Sequence, residues 1–127
     1  MGNTQTKAST LESNELIDLI IDSIQDIKGK NIVKLDLREL DGSPSEYFII
    51  CEGESSTQIR SISDNINKRV KQEMGLYASA REGVSDANWV LVDYFDIVVH
   101  VFYPETRKFY DLEDLWSDAK FTQYENL

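Results

Sequence analysis

The stretch from Trp89 to Phe102, WVLVDYFDIVVHVF, restricts the fold more than any other part of this chain. Its branched and aromatic content reads as two strands, Trp89–Tyr94 and Ile97–Phe102, joined by the two-residue turn Phe95-Asp96. Strand alternation places Trp89, Leu91 and Asp93 on one face, and Val90, Val92 and Tyr94 on the other. Phe95 is unusual in such a turn, where glycine is normally favoured. Pro104 ends the second strand.

The remaining elements arrange themselves around this hairpin. Residues 1–10 are polar and aperiodic and read as a disordered tail, with Ser9 and Glu12 as a possible capping box for the helix that follows. Leu16, Ile17, Ile20, Ile21, Ile24 and Ile27 then recur at helical spacing, and Gly29 is placed for a left-handed C-terminal cap. Asn31–Leu37 predicts a strand, and Glu46–Cys51 a second one apolar enough to be buried on both faces. Ser55 and Gln58 predict a capping box. The helix it opens repeats Ile59, Ile62, Ile66, Val70 and Met74 and closes at Gly75. Leu76–Arg81 reads as a further strand, Arg107–Asp111 as a short extended piece and Leu112–Ala119 as a last helical turn or two. The order α-β-β-α-β-β-β-α predicts an α/β fold: a single domain with a mixed β-sheet flanked by helices, spanning residues 11–119, with 120–127 as a C-terminal tail.

Composition narrows the function. The chain has 127 residues and a formal charge of −10, and residues 89–127 hold eight carboxylates against three basic side chains. Such a field repels nucleic-acid phosphates and attracts basic protein surfaces. The one basic cluster, Arg60, Lys68, Arg69 and Lys71, lies on the outer face of the second predicted helix and reads as a solvated face. A single cysteine, Cys51, excludes an internal disulfide and favours a reducing, cytoplasmic setting. No apolar run approaches the roughly 18 residues of a membrane span.

Catalytic chemistry finds little support. His100, the only histidine, lies among valines, where burial or a hydrogen bond to a neighbour is expected. Cys51 ends an apolar strand and reads as an inert small hydrophobe. One Cys and one His do not furnish a zinc site. Gly53-Glu54-Ser55-Ser56, between a strand and a helix, could cradle a phosphate as in a metal-dependent nucleotidyltransferase. That chemistry also needs two carboxylates on one strand face, and the following strand has none. Asp93 and Asp96 flank a turn instead. No catalytic residue, metal site or cofactor is therefore expected. What stands out is a concentration of seven aromatics (Trp89, Tyr94, Phe102, Tyr103, Phe109, Tyr110 and Trp116) beside Asp93, Asp96, Asp111, Glu113 and Asp114. Interfaces favour aromatic anchors within a polar rim, so this region reads as a docking site for a basic protein.

Trp89–Phe102, the segment Arg107–Trp116 (RKFYDLEDLW), Tyr47–Gly53 with Ser55, Ser56 and Gln58, and Glu82-Gly83 together resemble the ribosomal silencing factors, the Iojap-related family. The resemblance covers residues 13–119. It implies a fold related to the nucleotidyltransferases without their catalytic carboxylates, and a homodimer in solution. It also implies a translational repressor that binds ribosomal protein fourteen of the large subunit and sterically blocks subunit joining. On the matching positions it places docking at Trp89, Leu91, Asp93, Tyr94, Tyr110, Leu112, Glu113 and Trp116. The chain departs from the family pattern at Phe95 (Gly in the family), Ala78 (Pro) and Glu46 (Asp). The other readings are an active nucleotidyltransferase and a dimeric adaptor unrelated to ribosomes.

Overall fold

The computed structural model describes the chain from Leu11 to Leu127, and its first helix, α1, has the bounds Gly2–Asp26. The tail expected over residues 1–10, with its Ser9 cap, lies outside the described residues. Strands β1 (Lys30–Asp36) and β2 (Tyr47–Glu52) follow, then helix α2 (Ser56–Met74) and strands β3 (Ala80–Glu82), β4 (Trp89–Asp93) and β5 (Ile97–Phe102). Two short helices, α3 (Pro104–Tyr110) and α4 (Leu112–Leu115), lead to a last strand, β6 (Lys120–Gln123).

The six strands form one mixed sheet in the order β3-β4-β5-β2-β1-β6. Only the central pair, β2 and β5, is parallel. Five successive residues of β2, Tyr47–Cys51, are buried, as a strand covered on both faces requires. The faces differ in what covers them. On one, Ile49, Cys51, Val90, Val92, Val99 and Val101 pack against Ile20, Ile24, Ile59 and Ile66 of α1 and α2. On the other, a smaller core of Val33, Leu35, Leu37, Phe48, Ile50, Val98, Phe102 and Ala119 is flanked by Leu40, Leu112, Trp116 and the strand residues Trp89 and Leu91.

The second helix starts and ends as its sequence predicts. Ser55 accepts the Gln58 N–H (3.1 Å), Gln58 accepts the Glu54 N–H, and Gly75 closes the helix in the left-handed region (φ 67°). Gln58 Nε2 also donates to the Ile27 and Lys28 carbonyls, which ties the two large helices together. At the end of α1 the expectation needs correcting. The left-handed residue is Lys28 (φ 62°), not Gly29. Gly29 serves a steric need, since a Cβ there would meet Ile24 Cγ2 at 2.3 Å.

Two further expectations are overturned. Arg107–Asp111 is not extended: Pro104 opens a helix in which Asp111 is the left-handed C-cap, φ 48°. Nor does the sheet stop before residue 120. Val33–Asp36 of β1 pair antiparallel with Lys120–Gln123, and beyond them the Tyr124 N–H donates to Ile32 O. All four β6 residues are exposed, so no apolar alternation advertises this strand. The strand after α2 is shorter and later than expected, and it ends on a carboxylate, Glu82. No helix among the described residues is long and apolar enough to cross a membrane.

Candidate functional site: an aromatic patch on the open sheet face

The hairpin has the expected register, with Trp89 opposite Phe102 and Asp93 opposite Val98. The Tyr94 N–H donates to Ile97 O, so Phe95 and Asp96 alone make the turn. Phe95 takes the left-handed conformation (φ 69°), and Asp93 Oδ1 accepts its N–H at 2.7 Å. Asp93 is thus partly spent on holding the turn.

Alternation then sorts the eight residues implicated by the sequence. Trp89, Leu91 and Asp93 point to the open face, which α1 and α2 leave uncovered. Leu112 and Trp116 join them from α4 and its C-cap, packed against the same smaller core, with the Trp116 ring edge-on to Phe48 at 6.3 Å. Tyr94 belongs elsewhere. It is buried on the helix-covered face with Val90 and Val92, and burial pushes its phenol up to about 12. Tyr94 is a core residue, and the docking role expected for it does not fit its position.

Trp89 is held from two sides. Its ring stacks on Phe102 (4.9 Å between centroids), and its indole Nε1–H donates to His100 Nδ1 at 3.0 Å. His100 is buried, as expected for a histidine among valines, and burial lowers it to about 4. It therefore stays neutral, with Nδ1 as acceptor and the proton on Nε2. Tyr110, at the end of α3, brings its ring to 4.7 Å from Trp89, and Phe109 stands edge-on to Tyr110 at 5.0 Å. Phe109 and Tyr110 are 81% and 51% exposed.

Helix α3 is positioned by Arg107. Its guanidinium donates to Glu113 (2.7 Å), Glu52 (3.0 Å) and the Asn31 carbonyl (2.7 Å). This network joins α3 and α4 to the ends of β1 and β2. Glu113, expected to dock a partner, is paired with Arg107 in this network.

The patch also holds residues not singled out from the sequence. Asp86 and Glu105 line a cleft beside Trp89, Phe109 and Tyr110. Glu82 lies opposite Leu91 in the ladder and so points to the open face. Reading 107–111 as extended hid the arrangement, because a helix beginning at Pro104 brings Glu105 and Phe109 within about one turn of each other, whereas extended backbone would hold them roughly 13 Å apart. Two of the four side chains in the basic cluster of α2 are engaged internally. Arg69 pairs with Asp22, Asp26 and Glu73, and Arg60 donates to the Val84 and Ser85 carbonyls. Cys51 is buried and its thiol is pushed up to about 12, as an inert hydrophobe would be.

Residues 10–127 match the family described as ribosomal silencing factor during starvation. The chain belongs to the ribosomal silencing factor family. It is 35% identical to the ribosomal silencing factor RsfS of Halalkalibacterium halodurans over 117 residues, which are 92% of this chain and 98% of that protein. A crystal structure of a Chromobacterium violaceum protein superposes with a TM-score of 0.77 at 36% identity, covering 82% of this chain and 85% of the other. A second, from Bacillus halodurans, gives 0.72 at 35% identity over 88% and 98% of the two chains.

Proposed function

We propose that the protein docks on the large ribosomal subunit through ribosomal protein fourteen of that subunit and blocks subunit joining by occupying space. The observation that carries this reading is the Trp89–Tyr110–Phe109 ring cluster, which stands at the open sheet face beside Asp86 and Glu105. Aromatic anchors beside carboxylates suit a basic protein partner, and the −10 charge of the chain speeds that encounter while opposing stray contact with RNA. Steric exclusion requires placement and affinity alone, and an interface of roughly 800 Å² per partner is sufficient when its centre is well packed. The homodimer we propose for the free protein has one ready surface in β6, the outermost strand, whose outer edge is unpaired within the sheet and carries exposed Phe121.

The test is sedimentation with purified subunits, followed by subunit joining monitored in the same mixtures. Wild type is expected to migrate with the large subunit only and to reduce joining. Tyr110→Ala is the cleaner anchor variant, because truncating Trp89 also removes the partner of His100 and the stacking on Phe102. Weaker co-migration of Tyr110→Ala with an unchanged melting temperature supports the docking face. Wild type remaining unbound to either subunit refutes the reading.

A further inference from the structure

We infer that the cleft between the 83–88 loop and α3 is a cage for an arginine side chain presented by the docking partner. This rests on the docking reading for where the arginine comes from, and on geometry for what the cleft accepts. Trp89 is part of the lining. Its indole N–H is committed to buried His100, and Phe102 and Tyr110 lie against its ring, so the ring surface it leaves to the cleft is carbon and π-electron surface. Tyr110 and Phe109 extend that surface, and Asp86 and Glu105 complete the lining. Among the described residues, no lysine or arginine lines the cleft. Among the described residues, neither Asp86 nor Glu105 takes part in an ion pair, so both negative charges are unspent.

The loop wall is held tightly to β4. Gly83 has φ 81°, and a Cβ there would lie 2.1 Å from the Trp89 carbonyl oxygen, so only glycine permits this approach. Aromatic faces attract a cation, and paired carboxylates raise that preference and exclude phosphate or another anion. The planar guanidinium suits the cleft better than an ammonium, because it can lie flat on a ring while donating sideways to two carboxylates.

The test uses the full chain and two probes. In the first, N-acetyl-arginine methylamide is titrated while the Trp89 indole N–H cross-peak is followed by NMR, with the citrulline analogue as the uncharged, isosteric control. A saturable millimolar shift is expected with arginine and not with citrulline, and it should vanish in the Asp86→Asn/Glu105→Gln double variant. Both substitutions are exposed and isosteric, so the fold is retained. Equal responses to the two probes, or no response to arginine, overturn the cage. In the second, the double variant is sedimented with large subunits, where about tenfold weaker binding than wild type is expected. Tight binding of wild type and variant alike overturns the cage and leaves docking intact. An arginine-specific shift in a protein that fails to bind large subunits upholds the cage and refutes the docking reading.

Discussion

Acidification from pH 7 towards 4 should remove about 3 kcal/mol of folding stability through one side chain, His100. The ring is 4% exposed and surrounded by Phe48, Trp89 and Phe102. Its Nδ1 accepts the Trp89 indole N–H, and its Nε2 has no partner among the described residues. A second proton would have to go on Nδ1, which would turn an acceptor into a donor facing another donor. Desolvation accordingly pushes the imidazole down to about 4 from its ordinary 6.5. At about 1.4 kcal/mol per pH unit, that gap gives the figure of about 3 kcal/mol. The unfolded chain binds this proton near its ordinary pKa and the folded chain only near 4. The stabilisation is therefore complete above about pH 6.5, declines below it and is exhausted below about 4. Urea unfolding at closely spaced pH values should show about 2 kcal/mol lost between pH 6.5 and 5. Asp36, held low by Arg38, and Glu46, raised by burial, titrate in the acid range too. Comparison with His100→Leu removes their contribution. That variant should be less stable at pH 7 by about 1–3 kcal/mol, because the indole N–H loses its acceptor, and its stability should be nearly flat from pH 6.5 to 5. A flat wild-type profile, or the same slope in the variant, would refute the reasoning.

Three further perturbations probe the parts that hold the patch. Arg107→Ala leaves the Glu52 and Glu113 carboxylates facing each other across the lost guanidinium, and should cost about 3–5 kcal/mol in urea unfolding. Adding Glu113→Gln to it should restore part of that loss. Gly83→Ala meets both the left-handed backbone and the Trp89 carbonyl, and should cost about 1–3 kcal/mol, read as a lower melting temperature. Phe95→Gly relieves a left-handed phenylalanine that is 73% exposed, and should stabilise by about 0.5 kcal/mol once glycine's entropy is deducted. A clear destabilisation there would mean that the ring makes contacts worth more than the strain.

Where local pattern and tertiary setting agree, the chain was legible. The period of two in Trp89–Phe102 set both the hairpin and the sorting of its faces, which separates Trp89 from Tyr94. The Ser55/Gln58 box and Gly75 bracketed α2 because each answers a local need, orphan N–H groups at one end and a left-handed turn at the other. Elements held by distant partners were not legible. Helix α3 has little apolar periodicity and depends on Arg107 reaching Glu52 and Asn31, a long way off in sequence. Strand β6 has four exposed residues and exists because β1 offers it an open edge. The acidic half of the candidate site was lost with α3, since Glu105 joins the aromatic cluster only once that helix forms.

The two devices that hold the patch answer a problem common to all docking surfaces. A partner that must first order loose aromatic side chains loses roughly 0.5–1.5 kcal/mol of binding for each one. Here Trp89 is already fixed by Phe102 behind it and His100 beside it, and Tyr110 by a helix that Arg107 ties to the sheet. Neither His100 nor Arg107 needs to touch a partner to matter, because each sets the direction of a ring proposed as an anchor. His100→Leu should therefore weaken large-subunit binding at pH 7 in a protein that is still folded, through the freed indole. Retention of full affinity in that variant, alongside the expected loss of stability, would show that Trp89 is a core residue and that the anchors are Phe109 and Tyr110 alone.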